Sequence, residues 1–402
     1  PRVTTRVTLD GVIQYDAPCH FRSLDSTIVA VDARGRLTAH AFGTAKVIVS
    51  ADSEDYAISC ADTVLAIVSW KRLTGDCGVS SIASLPVEHQ WVYAAVNGGE
   101  YGPLTVLFSA DGMTWHSRRV GLPGLGTVTG LAPSSNYRSI HASIAVRTAG
   151  GYEHCIYHSQ DAGSSWMALD PEGLCGGYVA DIVVDPQNDD VLYCRDTCGS
   201  FDAGLRKSTD AGLTWHYVLN LDNNFYHDHF LGIDPHHHSS VYADHFRSDD
   251  EGATWIDITH PVACISADGY RSVTLYAWGN PALISTDHGD TWSEWPMGTL
   301  LGDVEAIETD GSGGVFVARR DALYTYSSSG SRLRAAYPFQ TQGHVHYVRS
   351  LHYVRFAGQL FVGTGLEQSV GGSGLWLYRP WDYTQPAISQ QAMQFERHGG
   401  GH

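Results

Sequence analysis

Lysine is almost missing from this chain: Lys46, Lys71 and Lys207 are all it has. Its basic charge is therefore nearly all arginine, and 43 acidic residues against 25 basic ones leave a formal net charge of -18. That balance excludes a nucleic-acid partner, which would need a basic face to displace counterions. No run of about 18 apolar residues occurs either, so no segment reads as a membrane-spanning helix and membrane insertion is not expected. No two cysteines stand at CxxC spacing. Cys194 and Cys198 in "CRDTC" come nearest, and a zinc site there would need two further soft ligands. The even total of eight cysteines suits an oxidising compartment, with the thiols paired or simply buried. Neither a methionine nor an apolar leader opens the chain at Pro1, as in a processed mature form or a trimmed piece.

What the chain does contain is glycine, tyrosine and enough apolar mass for a core. Gly 43, Tyr 21 and 43% hydrophobic residues describe a globular, turn-rich, all-β protein rather than a disordered one. The first 66 residues differ in texture from the rest. "FRSLDSTIVAVDARGRLTAHAFGTAKVIVSA" alternates apolar and polar residues in short runs split by Gly-bearing turns, which is the pattern of β-hairpins. Its stretches Ser26-Thr27-Ile28-Val29-Ala30-Val31-Asp32, Gly35 and Gly43-Thr44-Ala45-Lys46-Val47-Ile48 resemble the core of bacterial immunoglobulin-like group 2 domains. The resemblance implies a small β-sandwich spacer over residues 1–66, of the kind found on extracellular and virion-surface proteins. Cys19 and Cys60 bracket the module and are a candidate disulfide.

From residue 67 a second pattern takes over and repeats. "SADGMTW" at 109–115, "SQDAGSSW" at 159–166, "STDAGLTW" at 208–215, "SDDEGATW" at 248–255 and "STDHGDTW" at 285–292 end on Trp115, Trp166, Trp215, Trp255 and Trp292. A spacing of roughly 40 to 50 residues is the length of a four-stranded propeller blade. Strand–turn–strand pairs precede the copies, as in "DIVVDPQNDDVLYCRD" and "FLGIDPHHHSSVYADH". Similar pairs without a box follow at "AIETDGSGGVFVARRD" and "LHYVRFAGQLFVGTG", where "LYTYSSSG" and "LWLYRPW" take its place. Counting strand pairs gives seven blades over 67–390, with six as the alternative and 391–402 as a tail. The stretch "VLAIVSWKRLTG", with Trp70, reads as an outer strand available to complete the last blade.

These copies resemble the Asp-box, or sialidase-type BNR, repeat. In that family the box is the turn between the two outer strands of a blade. Asp111, Asp161, Asp210, Asp250 and Asp287 are then turn formers: Asp and Ser side chains bond backbone amides, Gly takes the positive φ, and Trp packs between blades. The box also orients the search, because function is expected on the opposite face, in the loops entering each first strand and joining each second strand to the third.

Those loops carry Tyr226, His227, Asp228 and His229; His344, His346 and Arg349; Arg319, Arg320 and Asp321; Tyr178 and Asp181; Glu153 and His154; and Arg195, Asp196 and Asp202. Tyr226, His227, His229, His344, His346, Arg319 and Asp181 form the candidate ligand-binding set, with His227, Asp228, His346 and Arg319 as candidate catalytic groups. His227 and His229 alternate along an extended chain and could share a divalent metal with His346 at the upper channel mouth, although no cofactor is required. A hydrogen-bonded polar channel lining accounts for the same residues without chemistry. His236, His237 and His238 in "DPHHHSS" fall in a turn and are expected to be solvated.

No "F/YRIP" motif opens the first blade, so a sialidase is not expected. The leading expectation is a non-catalytic extracellular, cell-surface or virion-surface protein. Its propeller would bind glycans or neighbouring surface proteins, self-assembly included, with Tyr101, Tyr152, Tyr226 and Trp278 as stacking platforms. The alternative is a polysaccharide hydrolase or lyase of the propeller type, working through carboxylates or through His and Tyr.

Overall fold

A computed structural model describes residues 7–9, 12–14, 19–33, 37–39, 43–53, 58–68, 70–74, 77–84, 91–97, 103–169, 171–174, 178–198, 202–221, 230–268, 272–277, 279, 281–295, 304–310, 313–319, 322–326, 332–336, 347–354, 358–365 and 374–378. Every regular element among them is a β-strand, and no helix is long and apolar enough to cross a membrane. The chain divides into two compact units, residues 1–71 with 378–402, and residues 72–377.

Seven four-stranded antiparallel sheets follow one another as the blades of a β-propeller. Blade I spans 79–118, blade II 126–168, blade III 178–221, blade IV 231–257, blade V 262–294 and blade VI 304–336. Blade VII takes three strands from 347–378 and its fourth, Trp70–Arg72, from ahead of blade I. The Leu73 N–H donates to the Leu375 carbonyl at 2.8 Å and extends this closure. Joining residues 70–72 to the last three strands in one blade closes the ring. The count is seven rather than six.

The first strands of blades I, II, III and IV touch in succession, as do those of V, VI and VII, and the first strand of VII touches that of I. They therefore ring the axis. Each pair of neighbouring blades encloses its own apolar cluster. Tyr93, Val106 and Phe108 of blade I meet Val128, Ile140 and Ile144 of blade II, all nearly or fully buried. Val315, Val317 and Tyr324 of blade VI meet Tyr276 of blade V.

The box tryptophans belong to these clusters, and each packs on the blade before its own. Trp166 lies among blade I residues, Trp215 against Ala132 and Ile156, Trp255 against Tyr193 and Leu205, and Trp292 against Tyr242. Trp115 meets Phe361 of blade VII edge-on at 5.8 Å. Where blade VI has no box, Trp295 fills the gap between blades V and VI, 5.3 Å from Tyr276 and 5.4 Å from Tyr326.

Within the boxes the carboxylate works as a staple. The serine hydroxyl donates to Asp Oδ1 at 2.8–3.0 Å in all five copies. The Thr or Ser hydroxyl just before the box tryptophan donates to Oδ2 at 2.5–2.9 Å. In four copies the glycine N–H returns to the serine oxygen at 2.8–2.9 Å. Glycine has positive φ, and so does the residue before it: Ala162, Ala211, Glu251 and His288 lie at φ 57 to 60. Two successive left-handed residues need this density of side-chain hydrogen bonds to offset their strain.

In the N-terminal unit the described strands form a three-stranded sheet, Cys19–Ser23, Gly43–Ser53 and Ile58–Val68, with two short two-stranded ribbons. Val29, Ala45 and Val47 are its buried apolar residues. The register corrects one expectation. Cys19 and Cys60 both stand opposite Ala51, on either side of the central strand. That puts them two strand spacings apart, about 10 Å, beyond the roughly 7 Å a disulfide can bridge. Among the described residues Cys155, Cys194 and Cys264 are free thiols, the last two buried.

Candidate functional site

The box turns lie beside the turns that join first and second strands: the Ala211 N–H bonds the Asp190 carbonyl, and the Glu251 N–H that of Ser239, both at 2.9 Å. This end is called lower. The first strands begin at the upper end, and there the ladder slips by one residue in six blades. The extra residues at these bulges are Ser80, Thr129, Asp181, Ala263, Glu305 and Arg349. Such bulges re-aim side chains at barrel and channel rims.

Some of the bulged residues lock neighbouring blades together. The Thr129 hydroxyl donates to the Val179 carbonyl of blade III at 2.7 Å, and Glu305 accepts the Val348 N–H of blade VII at 2.7 Å. Gly130 allows the close approach that this requires, since a Cβ there would stand 2.8 Å from the Ile182 nitrogen. Asp181 is different in kind. It is a non-glycine residue at φ 43, half-buried in the rim of blade III. A left-handed aspartate at a channel rim is a local cost that marks a position worth testing for function.

Around Asp181 the structure assembles an upper patch across blades II and III. Tyr178 is 46% exposed, and its ring meets His154 edge-on at 4.7 Å. Tyr152 is 63% exposed on the same strand as His154, with Glu153 exposed between them. Burial holds the His154 imidazole below its ordinary value, the Asp196 carboxylate opposing, so the ring is neutral near pH 7. Burial and the charge of Asp181 push the Tyr178 phenol up. Beneath the patch, Asp196 is fully buried with Arg206 at 2.6 Å, and Arg195 reaches both oxygens of Asp244 at 2.9 Å. These carboxylates are tied to guanidinium groups as supports for the rim.

Of the expected site residues, Asp181 stands in this patch and Arg319 ends the second strand of blade VI, its guanidinium 5.9 Å from the Tyr324 ring. Arg349, at its own bulge, lies 5.5 Å from the Tyr347 ring. Tyr226, His227, Asp228, His229, His344 and His346 fall outside the described residues, as do Arg320, Asp321, Tyr101 and Trp278, and the side chain of Asp202 is likewise outside. Among the described residues no group of three His, Cys, Asp or Glu side chains is set to hold a metal ion. Thr129, Arg206, Asp244 and Glu305 were not singled out from sequence. No motif marks them, since a bulge or a cross-blade bond leaves no periodic trace.

The histidine turn needs a correction. His237 is largely exposed, but His238 Nδ1 lies 3.0 Å from buried Asp185 of the preceding blade. That contact ties blade IV to blade III rather than leaving the ring in solvent.

Comparison with known proteins agrees with this architecture. The BNR/Asp-box repeat family model matches residues 283–294, the fifth box. A xyloglucanase from Paenibacillus sp is 25% identical over 276 residues, covering 54% of this chain and 26% of its own length. A second, from Hypocrea jecorina, is 30% identical over 185 residues, covering 41% of this chain and 20% of its own. Among solved structures, the GH74 xyloglucanase from Xanthomonas campestris superposes with a TM-score of 0.57 at 16% identity. That match covers 77% of this chain and 53% of the enzyme. The chain thus spans about half of the solved xyloglucanase and about a quarter and a fifth of the other two. It is a seven-bladed β-propeller with Asp-box repeats, similar in part of its sequence to xyloglucanases.

Proposed function

We propose that this propeller acts on a polysaccharide as a glycoside hydrolase, with a glucan backbone lying over the upper patch of blades II and III. The sequence similarity to two xyloglucanases carries the reading, and it favours the hydrolase over the purely adhesive surface protein. The patch fits it chemically. Tyr152 and Tyr178 offer exposed rings for sugar faces, while Glu153, His154 and Asp181 offer polar groups beside them. Asp181 is the first carboxylate to assign a proton-transfer role. Asp228 is the candidate for the second of the two that glycoside hydrolysis requires. Arg319, His227, His229, His344 and His346 are the further residues proposed for ligand binding. The 1–66 unit serves as an immunoglobulin-like spacer, and the chain works outside the cell, where such polymers are found.

Incubation with xyloglucan, mixed-linkage glucan and xylan, followed by reducing-end assay, tests this. Release of reducing ends is expected, and Asp181→Asn is expected to lower kcat by about 10²–10⁴. Binding in affinity electrophoresis without release would return the protein to the non-catalytic glycan-binding class. Absence of both would overturn the polysaccharide reading altogether.

A further inference from the structure

The lower mouth of the channel holds a second constellation, which the upper-face reading does not use. A cavity of about 380 Å³ opens there, lined by the ends of the first strands of blades I, II, III, IV and VII. That volume is within the range of small-molecule sites. Its walls are apolar: Ile82, Leu131, Ile182 and Ile233 face it, with Ser84 and His352 at the polar edge. Ser84 Oγ lies 2.7 Å from His352 Nε2. On the other side of the same ring, Nδ1 lies 3.5 Å from Glu308 Oε2. The three residues come from blades I, VII and VI, three neighbours around the ring.

The geometry points to a serine-type acyl-hydrolase site, with Ser84 as nucleophile, His352 as its base and Glu308 as the positioning carboxylate. In the tautomer with its proton on Nδ1, on the side of the Glu308 carboxylate, the Nε2 lone pair faces Ser84 and can take its proton. This order of contacts, hydroxyl to Nε2 and acid to Nδ1, is the one that activates a serine irrespective of fold. A second Ser–His contact in the molecule lacks the third member. His158 Nε2 lies 2.7 Å from Ser139 Oγ, but its ring stacks on His141 at 4.2 Å and has no acidic partner among the described residues.

The substrate class is a carboxylic ester with a short acyl chain, which the isoleucine and leucine walls would hold. Ser84 Oγ attacks the ester carbonyl carbon as its proton passes to His352 Nε2. The bond to the leaving oxygen breaks, and the alcohol departs with that proton. Water then attacks the acyl-serine and gives a proton to His352. The carboxylic acid leaves, and Ser84 regains its proton. The sum is ester plus water giving acid plus alcohol. This inference is independent of the polysaccharide reading.

Labelling of the unmodified full chain with a fluorophosphonate, followed by peptide mass mapping, tests it without any variant. An adduct on Ser84 is expected, together with hydrolysis of p-nitrophenyl butyrate. Ser84→Ala should abolish both, and His352→Ala should slow hydrolysis by about 10²–10⁴. Glu308→Gln should lower kcat more than it changes KM and should move the pH profile, which loss of a merely structural contact would not do. A label absent from Ser84, or ester hydrolysis equal in Ser84→Ala and the parent, would overturn the assignment.

Discussion

At the lower end of the ring, every outer turn from blade I to blade V closes on the same Ser–Asp hydrogen bond. At the upper end no two bulged residues are alike: Ser80, Thr129, Asp181, Ala263, Glu305 and Arg349 all differ. Repetition at one end and variety at the other divide the work. The boxes solve one backbone problem five times and must do it identically, because each sets a tryptophan against the preceding blade. The upper rim has no such shared duty, so each position is free to take a different chemistry.

The comparison breaks most severely if a box tryptophan is removed. Trp215 is 3% exposed and anchors blade III on blade II. Trp215→Ala should cost about 3–5 kcal/mol in denaturant unfolding. An effect below about 1 kcal/mol would mean that the boxes do not hold the blades together.

Acid should separate buried His141 from the hydrogen-bonded box carboxylates near the lower end. His141 is fully buried beside His158, and burial, then the charge of that neighbour, push it down to about 3, with the Ala211 carbonyl opposing. A group whose folded pKa lies below its unfolded value near 6.5 stabilises the fold above that pH. Its contribution is lost progressively as pH falls from 6.5 toward 3. Hydrogen bonds from Thr254 and Thr291 hold the box carboxylates Asp250 and Asp287 at about 2, against an ordinary 3.8. Their contribution is therefore lost later, between pH 4 and 2. Melting temperature should fall in two stages, and His141→Gln should weaken the first while leaving the second unchanged. A single transition below pH 4 in the parent protein would contradict the histidine part.

The same asymmetry explains what could be read from sequence. Five copies of one short motif give the blade length and the turn, and the alternating stretches before them give the inner strands. Trp70 could be suspected of completing the last blade because its strand had no partner nearby. The bulges were invisible, since a one-residue slip in a strand of six to eight residues leaves no period to detect. The contact between Ser84 and His352 spans 268 residues and joins the chain only through ring closure. The Cys19–Cys60 pairing failed for a related reason: bracketing a module in sequence says nothing about which strand lies between.

The smallest expected effect on stability sharpens the comparison most. Tyr178 is 46% exposed on the upper rim, so Tyr178→Ala should change unfolding free energy by no more than about 0.5 kcal/mol. If the ring stacks on sugar, the same variant should weaken polysaccharide retention in affinity electrophoresis by about tenfold, about 1.4 kcal/mol. Stability lost without a change in retention would place Tyr178 with the rim's structural supports, beside Arg206 and Asp196. Retention lost at constant stability would separate the rim from the boxes by function as well as by sequence. Tyr152→Ala provides the internal control, since Tyr152 lies at the start of the third strand of blade II and should act in the same direction if one sugar chain covers both rings.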